Sequence, residues 1–225
     1  MSQLEKYQKI FIAHYGKIAS NTLAQSLSET LKKDRTSIKS NRHYDEFILT
    51  TGLDKIEQLN HIDSKNSNKN AKFLVITVCR NLIDRIVSMY FQVHGEKSLN
   101  LSFDEIIRKI DFSNKIFQKL DNFPSKLVNN CNLGFDLYSI SLQDAKYFFK
   151  KGEKTDFLLL KYNNIKEWPS IFKTLFNIDL ILVNRNLSDD KIYKQLYESV
   201  LSDIKKVEFV NKAYKRTNHY AVLNL

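Results

Sequence analysis

The chain has 225 residues and a net charge of +10, with 35 Lys or Arg residues against 25 Asp or Glu residues. Its composition, 43% hydrophobic and 27% charged, is that of a folded globular protein and excludes a disordered or collagen-like chain. The length suits one domain over residues 1–225. The charge predicts an anionic partner: a nucleic acid, a membrane surface, a polyanionic glycan or a phosphorylated nucleotide.

The first predicted unit is a strand, a loop and a helix near the amino terminus. An apolar run covers Ile10 to Ala13, and three leucines then recur at helical spacing, Leu23, Leu27 and Leu31. Ser20 and Asn21 are good N-cap residues, so we expect the helix to begin there with its first N–H groups pointing into the loop.

The second predicted unit repeats this order. After a strand over Phe47–Thr51 and a polar surface loop over Asp63–Lys72, the run Phe73–Cys79 is almost continuously apolar and β-branched, which is typical of a strand covered on both faces. Arg80 and Asn81 follow, with Asn81 as the expected cap of another helix. Two strand-to-helix units predict a parallel sheet with helices on its faces.

The rest of the chain continues as mixed α/β. Ser102–Glu105 has the pattern of a capping box before a helix. Strands are expected over Phe135–Ile140 and Asp156–Leu160, and helical patterns extend from Asn164 to Phe176 and from Asp189 to about Tyr214.

The spacing of the cysteines and the length of the apolar runs indicate where in the cell the protein is located. Cys79 and Cys131 lie outside any Cys-x-x-Cys spacing, so we expect neither a disulfide framework nor a cysteine metal site. No run reaches the roughly 20 apolar residues that a spanning helix needs, and the amino-terminal run is too short for a signal peptide. The sequence predicts a soluble, cytoplasmic protein that can rest on a membrane surface.

The loop of the first unit has the residues of an anion site. Its sequence is Gly16-Lys17-Ile18-Ala19-Ser20-Asn21-Thr22. The Lys17 ammonium, two hydroxyls and the N–H groups of a helix N-terminus converge there. A Walker A motif has its hydroxyl directly after Lys. Here the hydroxyls come three and five positions later, which favours an anion without a metal. The alternative is a solvated Lys before an ordinary helix cap.

The second unit adds another candidate anion site. Arg80 lies at the carboxyl end of a buried strand, and Asn81, Asp84 and Ser88 share one face of the following helix. Arg80 can bind a phosphate as a fork while Ser88 donates its hydroxyl. The alternative is that Arg80 pairs with Asp84 and that Ser88 is a tolerated polar residue.

Together the two units resemble the sulfotransferases that use 3′-phosphoadenosine 5′-phosphosulfate (PAPS). The segment from Gly16 to Thr22 is similar to the 5′-phosphosulfate loop of that family. Arg80 to Tyr90 is similar to its 3′-phosphate motif, in which an Arg and a Ser eight residues later contact the phosphate. The chain departs from the family at Ala19, where relatives often have Gly, and at Leu82, where they often have Pro.

The carboxyl-terminal third resembles sulfotransferase-like proteins associated with capsular polysaccharide synthesis. The likeness lies in Phe157–Tyr162, in the pattern Asn186-x4-Lys191-x-Tyr193-x3-Tyr197 and in the closing His219-Tyr220. It implies a three-layer α/β sandwich with a central parallel sheet, related to P-loop kinases, and a glycan hydroxyl as acceptor. Lys191 becomes a further candidate contact of the nucleotide, against the alternative of a solvated helix face.

The resemblance also implies the roles of the site residues. Lys17 would stabilise the charge on the leaving phosphate oxygen, and Arg80 and Ser88 would bind the donor at a distance from sulfur. His61 is the first candidate for the general base and His14 the second, and further options are Glu105 and His94.

Two other functions stay open on the sequence. A kinase on the same fold is disfavoured because the Lys-Ser/Thr pair is missing and Cys79-Arg80 occupies the place of a magnesium carboxylate. A nucleic-acid-binding module would use the Lys and Tyr residues of Lys191–Arg216. Such a module would not need Lys17 and Arg80 at two strand ends.

Overall fold

The computed structural model describes residues 3–14, 19–33, 48–51, 72–130, 140, 142, 145–183 and 191–224. Within them, a five-stranded sheet has helices packed around it, which confirms the predicted α/β class. The strands are β1 (Lys9–Ala13), β2 (Ile48–Thr51), β3 (Phe73–Cys79), β4 (Tyr147–Lys150) and β5 (Thr155–Lys161). The helices are α1 (Ser20–Lys33), α2 (Leu82–His94), α3 (Phe103–Lys109), α4 (Asn114–Asn130), α5 (Trp168–Phe176), α6 (Lys194–Ile204), α7 (Glu208–Lys215) and α8 (Asn218–Asn224).

The strand order is β2-β1-β3-β5-β4. β1, β2, β3 and β5 are parallel, and β4 is an antiparallel edge strand that was not predicted. Nearly all of the predicted strand over Phe135–Ile140 and of the predicted loop over Asp63–Lys72 lies outside the described residues.

The centre of the sheet is the core of the fold. Every residue of β3 is buried, and so are the first six of β5. This explains why both strands are runs of apolar residues instead of an alternating pattern, since helices cover a parallel sheet on both faces. The Asn81 side chain caps α2 as expected, because its Oδ1 accepts hydrogen bonds from the N–H groups of Ile83 (2.9 Å) and Asp84 (3.3 Å). The capping box of Ser102 and Glu105 is also present at α3.

The stretch from Asp189 to about Tyr214 was predicted to be mainly helical, and its described part is mainly helical. The described part forms two helices, α6 and α7, because the apolar positions change phase between them. Val200 and Ile204 are buried on α6, and Val210 and Tyr214 are buried on α7. Val210 comes six positions after Ile204, which on a continuous helix would place the two side chains on different sides. The break lets both pairs reach the core.

A buried carboxylate stabilises the sheet at the amino-terminal ends of its parallel strands. Asp156 is fully buried and accepts hydrogen bonds from the Tyr7 hydroxyl (2.6 Å) and the Gly152 N–H (3.1 Å). The Asp156 oxygen that accepts from Gly152 also lies 3.0 Å from the Lys72 ammonium. The pKa of Tyr7 is raised, first by burial and then by its hydrogen bond to Asp156. This cluster lies at the amino-terminal ends of the strands, whereas the candidate site lies at their carboxyl-terminal ends.

Among the described residues, no helix combines the length and the apolar character that crossing a bilayer requires.

Candidate functional site

The strand order reverses between β1 and β3, and the region outside the carboxyl ends of these two strands is here called the crevice. The chain leaves β1 through α1 and returns as β2 on one side, whereas β3 pairs with β1 on the other side. From β3 the chain continues through α2 toward β5, away from β1. Ligands of open parallel sheets bind at such reversals of strand order, outside the carboxyl ends of the strands.

The ends of the two strands are fixed against each other. The buried Thr77 hydroxyl on β3 donates a hydrogen bond to the Ala13 carbonyl, the last of β1, at 2.9 Å. His14 follows directly and is half-buried. Because neighbouring strands lie about 4.8 Å apart, His14 lies beside the last residues of β3, close to Arg80, which directly follows that strand.

Helix α1 begins at this crevice, with an unexpected residue at its cap. The Leu23 N–H donates to the Ala19 carbonyl (3.0 Å), so Ala19, not Ser20 or Asn21, is the N-cap. Ala19 has a φ of 61°, in the left-handed region. Such a φ is unfavourable for alanine and free of steric cost for glycine, the residue that the resembled family often has at this position.

The following residues fill the first turn of α1. Ser20 and Thr22 are buried, whereas Asn21 is exposed. The remaining predicted residues of the loop, Gly16, Lys17 and Ile18, lie outside the described residues. The role predicted for Lys17 therefore stays a prediction.

Arg80 is held by two tyrosines. Its guanidinium carbon lies 4.2 Å from the centre of the Tyr162 ring, and its Nη2 donates a long hydrogen bond (3.5 Å) to the Tyr197 hydroxyl. The side chain is 8% exposed. An arginine stacked on an aromatic face has its orientation fixed, while its N–H groups point along the guanidinium plane. Arg80 therefore has the fixed orientation that fork-like recognition of a phosphate uses.

Asp84, the alternative partner of Arg80, forms an ion pair with the Lys205 ammonium at 2.8 Å. This contact brings the end of α6 to the first turn of α2. Ser88 is half-buried on α2, on the face that also carries Asn81 and Asp84 by helical spacing. The structure thus brings the predicted Arg80 unit together with the carboxyl-terminal third of the chain.

The carboxyl-terminal third reaches the unit through tyrosines. Tyr193 and Tyr197 pack against Phe91 of α2, with ring centroids 5.7 and 5.5 Å apart. Gly95 makes the approach possible, because a Cβ at that position would lie 2.4 Å from the Tyr193 ring. Lys191, predicted as a nucleotide contact, is exposed before α6 begins, so the side chain that meets Arg80 from this pattern is Tyr197.

The candidates for the general base are not equivalent. His14 lies at the crevice, and its pKa is lowered first by burial and then by the charge of Arg85. His14 is therefore neutral at neutral pH and able to accept a proton. His61, the first candidate, lies outside the described residues.

The other two options fit the role poorly. His94 is at the far end of α2, about 18 Å along the axis from its start, against the ring of Tyr90 (centroids 5.1 Å apart). Glu105 is exposed and accepts hydrogen bonds from the N–H and the hydroxyl of Ser102 (both 2.7 Å). The backbone bond, followed by the side-chain bond, lowers the pKa of Glu105, which makes it a weak base.

Several charged groups near the crevice were not predicted as site residues. Arg85 on α2 is 1% exposed, and a buried pair joins Asp121 on α4 to His219 on α8. Lys161 ends β5 opposite Cys79, whose pKa burial raises to about 12. The one signal in the sequence was Arg85 itself, a charged residue inside the apolar stripe of α2.

Among the described residues, no group of three or more His, Cys, Asp or Glu side chains is arranged to hold a metal ion. Comparisons of the chain with models of protein families, with curated proteins and with solved structures find no match.

Proposed function

We propose that the protein is a sulfotransferase that moves a sulfuryl group from PAPS to a hydroxyl. One observation carries the proposal: the two predicted anion-binding units follow neighbouring strands, β1 and β3, at the point where the strand order reverses. The donor has a phosphosulfate at its 5′ end and a phosphate at its 3′ position. Two cationic units side by side suit a ligand with two anionic ends.

The 3′-phosphate is assigned to the Arg80 unit. Arg80 is oriented by Tyr162 and Tyr197 and lies at the end of β3. The adjacent N-terminus of α2 contributes a positive dipole end. Binding energy from this end of the donor, which is remote from sulfur, would position the reacting atoms.

The 5′-phosphosulfate is assigned to the loop before α1. In the transfer step the acceptor oxygen forms a bond to sulfur while the bond between sulfur and the bridging phosphate oxygen breaks. The acceptor proton passes to a base, and adenosine 3′,5′-bisphosphate leaves with the electron pair. Lys17 would neutralise the charge that develops on the bridging oxygen. His14 is the base that the described geometry supports best, because it is half-buried and directly follows the end of β1.

The acceptor class comes from the resemblance to proteins of capsular polysaccharide synthesis, so a glycan hydroxyl is the proposed acceptor. The excess of positive charge, +10 over the chain, suits an acidic polysaccharide. The kinase and nucleic-acid alternatives remain as outcomes of the test below.

The test is thermal stabilisation by nucleotides. A ligand at 100 times its Kd adds about 2.7 kcal/mol to the free energy of unfolding, which for a chain of this size raises Tm by about 5–10 °C. We expect adenosine 3′,5′-bisphosphate to stabilise the protein without magnesium. Stabilisation by ATP with magnesium alone would favour the kinase, and stabilisation by oligonucleotides alone would favour the nucleic-acid module.

Two variants make the measurement specific. Arg80→Met keeps much of the side-chain volume and removes the charge, so we expect it to lose most of the shift. Tyr7→Phe removes a buried hydroxyl at the amino-terminal ends of the strands, away from the candidate site. It should therefore lower the Tm of the free protein but keep the rise in Tm that the nucleotide causes. Transfer of sulfur-35 from PAPS to a panel of glycans then identifies the acceptor.

A further inference from the structure

The hydrogen bond between Arg80 and Tyr197 has only one possible direction. A guanidinium has N–H donors and no acceptor, so the Arg80 Nη2 donates and the Tyr197 hydroxyl oxygen, 3.5 Å away, accepts. A phenol that accepts through its oxygen still has its own O–H to donate. Among the described residues, Arg80 is the one hydrogen-bond partner of this hydroxyl. The Tyr197 proton therefore points away from Arg80 and is available to an acceptor beside the guanidinium.

The ring of Tyr197 is fixed by apolar packing. It meets the Phe91 ring edge-on, with centroids 5.5 Å apart, and the ring of Tyr193 packs against the same phenylalanine at 5.7 Å. Tyr197 is half-buried, and burial raises the pKa of its hydroxyl. The hydroxyl is therefore protonated at neutral pH and is a neutral donor in a defined place.

The groups around this hydroxyl favour an anion as the acceptor of its proton. Arg80 stacks on the Tyr162 ring, 4.2 Å from its centre, and presents its N–H groups in the guanidinium plane. Asp84 is the carboxylate of the chain at this end of α2, and the Lys205 ammonium neutralises it at 2.8 Å. A fixed arginine and a phenol O–H are both donors, and charge-assisted bonds from such donors are the strong contacts of a phosphate oxygen.

We propose that Tyr197 is a second binding residue for the anion at Arg80, its hydroxyl donating to a phosphate oxygen that also accepts from the guanidinium. The proposal deepens the proposed function, on which it rests for the identity of the anion, the 3′-phosphate of the donor. Arg80 directly precedes Asn81, the cap of α2, and Tyr197 is in the first turn of α6. The bound phosphate therefore links α2 to α6.

The test compares two tyrosines that share one packing partner. Tyr197→Phe removes the hydroxyl and keeps the ring on Phe91. Tyr193→Phe is the matched control, because the described contacts of Tyr193 with α2 and Gly95 are made by its ring. In calorimetric titrations we expect Tyr197→Phe to bind adenosine 3′,5′-bisphosphate about tenfold more weakly, the low end for a hydrogen bond to a charged group. Its affinity for adenosine 5′-monophosphate should be unchanged, and Tyr193→Phe should bind both nucleotides as the wild type does.

Two results in folded Tyr197→Phe would overturn the proposal. One is undiminished affinity for the bisphosphate, which is expected if the hydroxyl donates to Asp84 instead; in that case only the free energy of unfolding falls. The other is an equal loss of affinity for both nucleotides, because a contact with the 3′-phosphate cannot affect a ligand that lacks this group.

Hydrogen exchange of the wild-type protein decides the matter if Tyr197→Phe does not fold. Because the phosphate links α6 to Arg80, saturation with the bisphosphate should slow amide exchange in the first turns of α6 more than saturation with adenosine 5′-monophosphate does. Equal protection of α6 by the two nucleotides would overturn the proposal.

Inorganic phosphate separates this proposal from the proposed function, because it presents the anion without the nucleoside. Its binding is followed by phosphorus-31 NMR; Arg80→Met should abolish it and Tyr197→Phe should weaken it. If inorganic phosphate binds in this way and the bisphosphate does not bind, the proposed function fails and the role of Tyr197 stands. If the bisphosphate binds and Tyr197→Phe has no effect, the role of Tyr197 alone fails. If neither ligand binds the wild type, both fail.

Discussion

Replacing Ala19 with glycine should stabilise the protein, although glycine adds conformational freedom to the unfolded chain. Ala19 has a φ of 61° at the N-cap of α1. The left-handed region costs an L-residue about 1–2 kcal/mol, and glycine removes that cost. The greater conformational freedom of glycine in the unfolded chain reduces this gain in stability by about 0.4–1 kcal/mol. We therefore expect a net gain of about 0.5–1 kcal/mol, or a rise in Tm of roughly 1–4 °C.

Urea unfolding of matched variants tests this reasoning. Asn177 is the other non-glycine residue with positive φ (52°) in the described part of the chain, where it ends α5. Asparagine tolerates this region, so Asn177→Gly should gain less than Ala19→Gly. Ala19→Val should lose stability, because a β-branched residue is strained there. Equal effects of Ala19→Gly and Asn177→Gly, or a loss in Ala19→Gly, would refute the conformation assigned to Ala19.

Three further predictions concern stability. Asp156→Ala leaves the buried Tyr7 hydroxyl without its acceptor, so the free energy of unfolding should fall by about 2–4 kcal/mol in urea, with nucleotide binding to the folded protein unchanged. Gly95→Ala should cost about 1–3 kcal/mol because its Cβ would meet the Tyr193 ring at 2.4 Å and the Phe91 carbonyl oxygen at 2.6 Å; combining it with Tyr193→Ala should remove only the part of that cost that comes from the ring. Because burial lowers the pKa of His219, the unfolded state binds more protons below its ordinary pKa of about 6.5. Stability should therefore fall as pH is lowered from that value toward the folded pKa, and His219→Phe should flatten this slope; an equally steep slope in the variant would contradict it.

Local patterns in the sequence were enough to predict the units that surround the crevice. The apolar run of β3, followed by Arg80 and the cap Asn81, predicted both the strand and the start of α2, because each depends on residues a few positions apart. The change of apolar phase between Ile204 and Val210 was also readable, although the prediction gave a mainly helical stretch without placing a break in it. The antiparallel edge strand β4 is short and half-buried, which gives little periodic signal.

Contacts between distant segments were beyond local patterns. Asp121 and His219 are 98 positions apart, and Arg80 meets Tyr197 across 117 positions. The stacking of Arg80 on Tyr162 also depends on how β5 pairs with β3. The conformation of Ala19 depends on how α1 packs, since alanine by itself disfavours a positive φ. The sequence therefore indicated an anion-binding site at the ends of β1 and β3 but not the tyrosines that orient Arg80.

The most direct test of the central claim is calorimetric titration with two nucleotides that differ only in the 3′-phosphate. We predict that the wild-type protein binds adenosine 3′,5′-bisphosphate more tightly than adenosine 5′-monophosphate by roughly 10–100-fold, the range of a hydrogen bond to a charged group. Arg80→Met should lose most of this preference, while Tyr7→Phe should keep it. Equal affinity of the wild type for the two nucleotides, or an undiminished preference in Arg80→Met, would contradict a 3′-phosphate site at Arg80.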